Sequence, residues 1–262
     1  MATSYHTNLL SLTPSKVREF QTCPKQYRLR LMAPRDGDNC SPALSFGNSM
    51  HAALEQMHRY YLPHGLKFDC RELLACHWVI GAYNDSQESA TYFERGVDSL
   101  EKYADLATKA EGEVLGTELF LSRIVRLQSE RVRLSCKVDR LDQKPDGHLE
   151  ALDYKTNSNG LVPTQEHLAE DLGSFIYYAL VRLTYPETEH VIVSQLNVLT
   201  LAKVEVQYDR FMVAAHKESL CDVVSQIRAE AFEPRPGSAC SWCRVRDSCP
   251  TFGPEADLDR LV

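Results

Sequence analysis

The stretch "LEALDYKTNSNG", residues 149–160, sets Asp153 and Lys155 two positions apart at the end of an apolar run. Alternate residues of a β-strand share a face, so a strand here presents both side chains together. Just upstream, "KVDRLDQKPDGHLEALDYK" places Pro-Asp-Gly between two such runs. That tripeptide suits a three-residue hairpin loop, a type I turn followed by Gly147 in the left-handed region. Such a loop closes Lys144 against His148, and the same register sets Asp139 opposite Asp153 with Cβ atoms about 4.5–5.5 Å apart. Two carboxylates this close repel unless a cation lies between them, and a hard divalent ion such as Mg2+ or Mn2+ is the natural partner. A lysine beside them could position an attacking water and stabilise developing phosphate charge. A surface Asp–Lys pair on a hairpin end also fits the spacing. A two-residue loop would instead put the two aspartates on opposite faces.

A second constellation is made of cysteines. "CSWCRVRDSCP" supplies Cys240, Cys243 and Cys249, and the early "QTCPKQY" supplies Cys23. Four thiolates could hold tetrahedral zinc or an iron–sulfur cluster, and the spacing does not choose between them. A ligand more than two hundred residues upstream would staple the two ends of the chain together. The other cysteines, Cys40, Cys70, Cys76, Cys136 and Cys221, are scattered and read as buried small hydrophobes.

The elements that must position these groups can be read from periodicity. "TPSKVREFQTCPKQYRLRLM" suits a helix capped by Thr13 and opened by Pro14, with Val17, Phe20, Tyr27 and Leu31 apolar and Pro24 kinking or dividing it. In "LSFGNSMHAALEQMHRYYL", Phe46, Met50, Leu54 and Met57 recur at helical spacing, while His51 and Glu55 share another face. Residues 69–110 read as further helix. From Thr117 the period changes to that of strands: "ELFLSRIVRL", "RVRLSCKVDRL" and "LEALDYK". In the second, Val132, Leu134, Cys136 and Val138 face one way, and Arg131, Arg133, Ser135, Lys137 and Asp139 the other. A helix over "EHLAEDLGSFIYYALVRL", strands at "HVIVSQLNVL" and "KVEVQY", and a long helix from about Asp209 to Ala231 complete a mixed α/β or α+β core.

At 262 residues and 44% hydrophobic content, the chain can build one large core. Its apolar runs fall short of the roughly 20 residues that a membrane helix needs, and its first residues lack a secretory pattern, so a cytoplasmic location is expected. The net charge of -7 argues against a simple nucleic-acid coat. Positive charge is nonetheless clustered in two stretches. One holds Lys16, Arg18, Lys25, Arg28, Arg30 and Arg35; the other holds Arg123, Arg126, Arg131, Arg133, Lys137 and Arg140. Either could track a phosphate backbone or form a solvated face.

The segment "KVDRLDQKPDGHLEALDYKTN" resembles the central signature of the RecB-like branch of the PD-(D/E)XK nucleases, and "GNSMHAALE" resembles that branch's Gly-x-x-x-His-x-x-Leu-Glu helix. The resemblance implies a restriction-endonuclease-like core, with a central mixed sheet flanked by helices. It implies metal ligands at His51, Asp139 and Asp153, with the Tyr154 carbonyl completing the shell, and a catalytic lysine at Lys155. Glu118 is a further acidic candidate. The branch's Gln-x-x-x-Tyr motif would fall on Ser174 and Tyr178, with serine in place of glutamine. The cysteine pattern is similar to that of iron–sulfur RecB-like exonucleases, including CRISPR-associated adaptation nucleases and the AddB nuclease domain, which implies a [4Fe-4S] cluster on Cys23, Cys240, Cys243 and Cys249.

The whole chain, residues 1–262, is then expected to be a single nuclease domain. It would comprise a helical subdomain at about 62–112, a nuclease core at about 113–232, and an iron–sulfur region joining Cys23 to 240–249. The implied activity is metal-dependent exonucleolytic hydrolysis of single-stranded or frayed DNA. Lys16, Arg18, Lys25 and Arg28 would be DNA contacts, Tyr27 and Trp242 candidate base-stacking residues, and CRISPR integrase or repair proteins the implied partners. The alternative is a catalytically weak, nuclease-derived module that binds DNA ends or serves assembly.

Overall fold

The computed structural model describes residues 9–32 and 41–252. Arg35 and Cys40 lie outside the described residues.

The N-terminal segment makes a short strand β1 (Leu10–Leu12), helix α1 (Pro14–Thr22) and helix α2 (Pro24–Met32). Thr13 caps α1 by accepting the Lys16 amide, and Pro14 occupies the first turn, where no amide is needed. Pro24 divides the helix rather than bending it. A residue before proline is driven away from helical geometry, and Cys23 is extended at φ -159°, ψ 110°. Leu31, expected on the apolar side, is exposed.

Helix α3 (Pro42–Gln56) carries His51 and continues into one π turn, Met57–Tyr61. Helices α4 (Cys70–Ala75) and α5 (Ser86–Ala107) follow. The sheet then forms from β2 (Glu113–Leu127), β3 (Glu130–Gln143) and β4 (Leu149–Lys155). The Pro-Asp-Gly loop takes the geometry that its residues favour. Gly147 has φ +85°, its amide donates to the Lys144 carbonyl at 2.9 Å, and the Lys144 amide donates to the His148 carbonyl at 2.8 Å. The ladder runs on in that register from Gln143 opposite Leu149 to Arg140 opposite Leu152.

The helix expected over 166–183 is broken at Asp171 into α6 (Gln165–Glu170) and α7 (Leu172–Thr184). Strand β5 (Val191–Asn197) lies parallel to β4, β6 (Lys203–Gln207) lies antiparallel to β5, and α8 (Arg210–Arg228) closes the core.

The sheet has one topological peculiarity. β2 pairs with β3 along nearly its whole length, so β1 and β4 must share the opposite edge of β3. β1 takes Val132–Leu134 in parallel and β4 takes Arg140–Gln143 antiparallel. Between them the sheet is forked along 135–139. β1 has only three residues and pairs with a strand more than a hundred residues away, too little pattern for sequence periodicity to register.

Two cores cover the two faces. One joins Leu12, Val17, Phe20 and Tyr27 to α6, α7, α8 and the apolar side of β3. The other joins α3, α4 and α5 to Leu152, Tyr154, Leu196 and Val198, so residues 70–107 form a layer of the sheet's packing. Of the scattered cysteines, Cys70 and Cys136 are buried and Cys221 is half-buried, but Cys76 is exposed just past the end of α4, against expectation. Arg140 is also no surface cation. It is buried and donates to Asp142 at 2.8 and 2.6 Å, to His58 Nε2 at 2.8 Å and to the Tyr154 hydroxyl at 3.2 Å. Burial and then the Arg140 charge depress His58 to about 3, so its ring accepts that bond as a neutral group.

Strand β4 is held by a buried charge as well. The Glu150 carboxylate meets Lys144 and the Ser194 hydroxyl, and Lys203 Nζ lies 2.6 Å from its Oε1. Burial pushes this carboxyl up, but the two ammonium groups and the hydroxyl outweigh it and hold its pKa at about 2. Its stabilisation is therefore fully present above its ordinary value near 4.5 and is lost as pH falls toward 2. The advantage of wild type over Glu150→Gln in urea unfolding is expected to be a few kcal/mol at neutral pH and to shrink steadily below about pH 4.5.

Candidate active site

The fork gathers the polar residues singled out by sequence. Beyond the Arg140–Leu152 pair the ladder stops, and the Tyr154 amide donates to Asp139 Oδ2 at 2.8 Å. β4 is thus tied to β3 through a side chain at the point where the strands part. Regular alternation also slips here. Val138 and Leu141, three apart, lie in the same core. Opposite them, Glu118 has φ +49°, an unusual backbone state for a non-glycine residue and one that recurs at functional sites.

His51 reaches the fork from α3. Its Nδ1 lies 3.5 Å from Asp139 Oδ2 and 3.9 Å from Glu118 Oε1. Gly47, one turn earlier, explains the close approach, since a Cβ there would fall 3.0 Å from Thr156 Oγ1 at the end of β4. His51, Glu118 and Asp139 can offer ligand atoms all within 4.8 Å of one another, the one such group of three His, Cys, Asp or Glu residues among the described residues. Asp153 stands beside this trio rather than inside it. Lys155 Nζ lies 2.6 Å from Asp153 Oδ2 and forms an ion pair with it.

The electrostatics follow from this crowding. Burial opposes a charge on His51, but the facing Asp139 and Glu118 carboxylates outweigh it and raise the imidazole to about 10. Burial, and then the neighbouring Asp139 charge, push Asp153 up against the pull of Lys155. Glu118 is held below its ordinary value, since His51 and an ion pair with Lys137 outweigh its burial. The Glu118 and Asp139 carboxylates crowd one imidazole, a donor set that suits a divalent cation held by oxygen and nitrogen ligands.

Helix α7 carries Ser174, Tyr177 and Tyr178. Tyr178 stacks on Phe175 and lies tilted against Tyr208, with centroids 5.9 and 4.8 Å apart, and packs against the first core. The residue facing the fork is its neighbour Tyr177, whose hydroxyl burial pushes up and which feels the charges of Asp153 and Asp139. The break at Asp171 sets the phase of α7, and sequence periodicity, which ran one helix through this point, could not choose between the adjacent tyrosines. Ser174 belongs to the cap itself. Its amide and hydroxyl donate to Asp171 Oδ2 at 2.7 and 2.6 Å.

The N-terminal cations differ in their commitments. Arg18 donates from Nε to both Asp171 oxygens at 2.9 Å, and the absence of a side chain at Gly173 makes room for it. Lys16 donates to the Ser11 carbonyl at 3.1 Å, and the Arg28 guanidinium lies 5.4 Å from the Phe232 ring centre. Lys25 is half-buried. Tyr27 is 2% exposed and stacks on Phe232, which removes it as a base-stacking surface, whereas Trp242 is exposed.

Away from the fork, Cys23, Cys240, Cys243 and Cys249 line one cavity. The Arg235 amide donates to Cys23 Sγ and the Gly237 amide to Cys240 Sγ, each at 3.4 Å, and the Arg235 guanidinium donates to the Gln21 carbonyl at 2.8 Å. The break before Pro24 thus turns Cys23 toward the C-terminal turns.

A family profile described as the PD-(D/E)XK nuclease superfamily matches residues 11–250. This chain belongs to that superfamily. The nuclease-superfamily match spans the fork and all four cavity cysteines. A crystal structure described as a "Putative exonuclease" from Eubacterium rectale shares the fold at a TM-score of 0.54 and 10% identity, over 100% of this chain and 97% of that one. The structure of SSO0001 aligns at a TM-score of 0.40 and 13% identity, over 91% and 95% of the two chains. No curated protein matches. Among the described residues, no helix is long and apolar enough to cross a membrane.

The close approach at Gly47 carries a prediction for this site. Gly47→Leu is expected to push α3 away from Thr156, separate His51 from Glu118 and Asp139, and weaken Mn2+ binding by about ten-fold or more in titration calorimetry. Gly47→Ala should have a smaller effect, because the Thr156 side chain can turn aside.

Proposed function

We propose that the protein is a Mg2+- or Mn2+-dependent deoxyribonuclease that hydrolyses phosphodiester bonds, acting as an exonuclease on single-stranded or frayed DNA. The observation that carries this reading is the meeting of His51, Glu118 and Asp139 within 4.8 Å, next to the Asp153–Lys155 pair, in a chain of this superfamily. His51, Asp139, Asp153 and the Tyr154 carbonyl would hold the cation, with Glu118 joining the set on the strength of its position. A bound divalent ion would supply Lewis-acid charge to the phosphodiester and to an attacking water. Lys155, the partly exposed cation at the mouth of the fork, orients that water and neutralises charge on the phosphate as Asp153 releases it.

The four-cysteine cavity is read as a [4Fe-4S] site. The amide donors to Cys23 and Cys240 suit thiolate sulfurs. The cluster is preferred over structural zinc on the resemblance of the cysteine pattern to that of iron–sulfur RecB-like exonucleases. Its role is structural, joining the first helices to the C-terminal turns as part of the single domain. CRISPR adaptation, DNA repair and phage DNA processing are the settings that the cysteine and nuclease motifs together suggest. The second reading, a weakly active DNA-end-binding module, draws on Ser174, whose hydroxyl is engaged by Asp171 and Arg18.

Asp153→Ala or Lys155→Ala is expected to abolish Mn2+-dependent degradation of labelled single-stranded DNA while circular dichroism and iron content stay unchanged. Full activity in either variant would overturn the site, and tight DNA binding by wild type without chelator-sensitive cleavage would favour the second reading. Protein purified without oxygen should be brown and contain iron, with Cys243→Ser losing both; stoichiometric zinc without iron would overturn the cluster.

A further inference from the structure

The β2–β3 hairpin has one face in the first core and one face uncovered. Going outward from Glu118, the uncovered face presents the cross-strand pairs Phe120 with Lys137, Ile124 with Arg133, and Arg126 with Arg131. All six side chains are exposed or half-buried, Phe120 being exposed by 67% and Ile124 by 47%. No acidic residue occurs in β2 from Leu119 to Leu127 or in β3 from Arg131 to Lys137, a local excess of positive charge in a chain of net charge -7. From Glu118 to Arg126 the face spans about 27 Å at the usual rise per strand residue. A cleft lined by Phe120, Lys137, Arg18 and Tyr177 joins its near end to the fork.

We propose that this face is the track for a single strand of DNA leading away from the carboxylates, with a base stacked on Phe120 and backbone phosphates held by Arg133, Arg131 and Arg126. The inference rests on the nuclease reading for the position of the scissile phosphate. The bases of a duplex are stacked on one another and cannot lie flat on Phe120, whereas an unpaired base presents an apolar face to any aromatic ring. Stacking of this kind is tolerant of sequence, as an exonuclease requires. Lys137, ion-paired to Glu118, joins the track to the site.

The test is fluorescence anisotropy with the full chain carrying Lys155→Ala to preserve the DNA, using a labelled single-stranded oligonucleotide and a duplex of the same sequence. Phe120→Ala is expected to weaken single-strand binding about ten-fold or more while leaving duplex binding unchanged, and Phe120→Trp should restore it. Arg126→Ala with Arg131→Ala should lower the slope of log affinity against log salt by roughly 1.4, about 0.7 for each phosphate that is no longer neutralised. Unchanged single-strand affinity in Phe120→Ala, or an equal loss for duplex, overturns the track. The two readings fail separately. Phe120-dependent binding with no cleavage by wild type overturns the nuclease and keeps the track, and cleavage with Phe120-independent binding does the reverse.

Discussion

The Asp139 carboxylate accepts the Tyr154 amide at the place where β3 and β4 cease to pair as backbones. A backbone donor leaving a ladder must find another acceptor, and here the acceptor is a side chain that also faces His51. This bond holds the end of β4, and with it Asp153 and Lys155, against β3 at the fork. Without it the two aspartates would sit on strands that diverge.

The fork also explains why the site draws on both layers of the molecule. A continuous sheet would separate the α3 side from the α1–α7 side. At 135–139 neither β1 nor β4 lies against β3, so His51 approaches from one layer while Arg18 and Tyr177 stand near the same carboxylates from the other. Rigid anchors surround the opening. Glu150 is clamped between two lysines on β4, and Arg140 with Asp142 fills the polar space beneath Tyr154. These buried charges hold the frame, and the Asp153–Lys155 pair stands at its opening.

The cysteine cavity acts on the same frame from a distance. Hydrogen bonds from Arg235 to Cys23 and Gln21 tie the α1–α2 break to the C-terminal turns, and α1 in turn carries Arg18 to Asp171, the residue that caps α7. The ends of the chain thereby bear on the phase of the helix that presents Tyr177. Chain closure and site geometry are linked through one salt bridge and one helix cap.

Local chemistry sufficed for the hairpin. Proline, aspartate and glycine dictate the 145–147 turn, and the turn dictates the register as far as Arg140 opposite Leu152, one pair short of Asp139 and Asp153, because each step depends only on neighbours along the chain. Helix starts at Thr13 and Pro14, the break before Pro24, and the apolar faces of α3 and β3 were legible for the same reason. The cysteine spacing likewise pointed to a shared site. Tertiary structure alone decided what depends on distant segments: β1 at the edge of β3, Glu118 brought beside His51, Arg140 drawn inward, and Tyr177 rather than Tyr178 turned to the fork. In each case the determining partner lies far off in sequence, and periodicity carries no record of it.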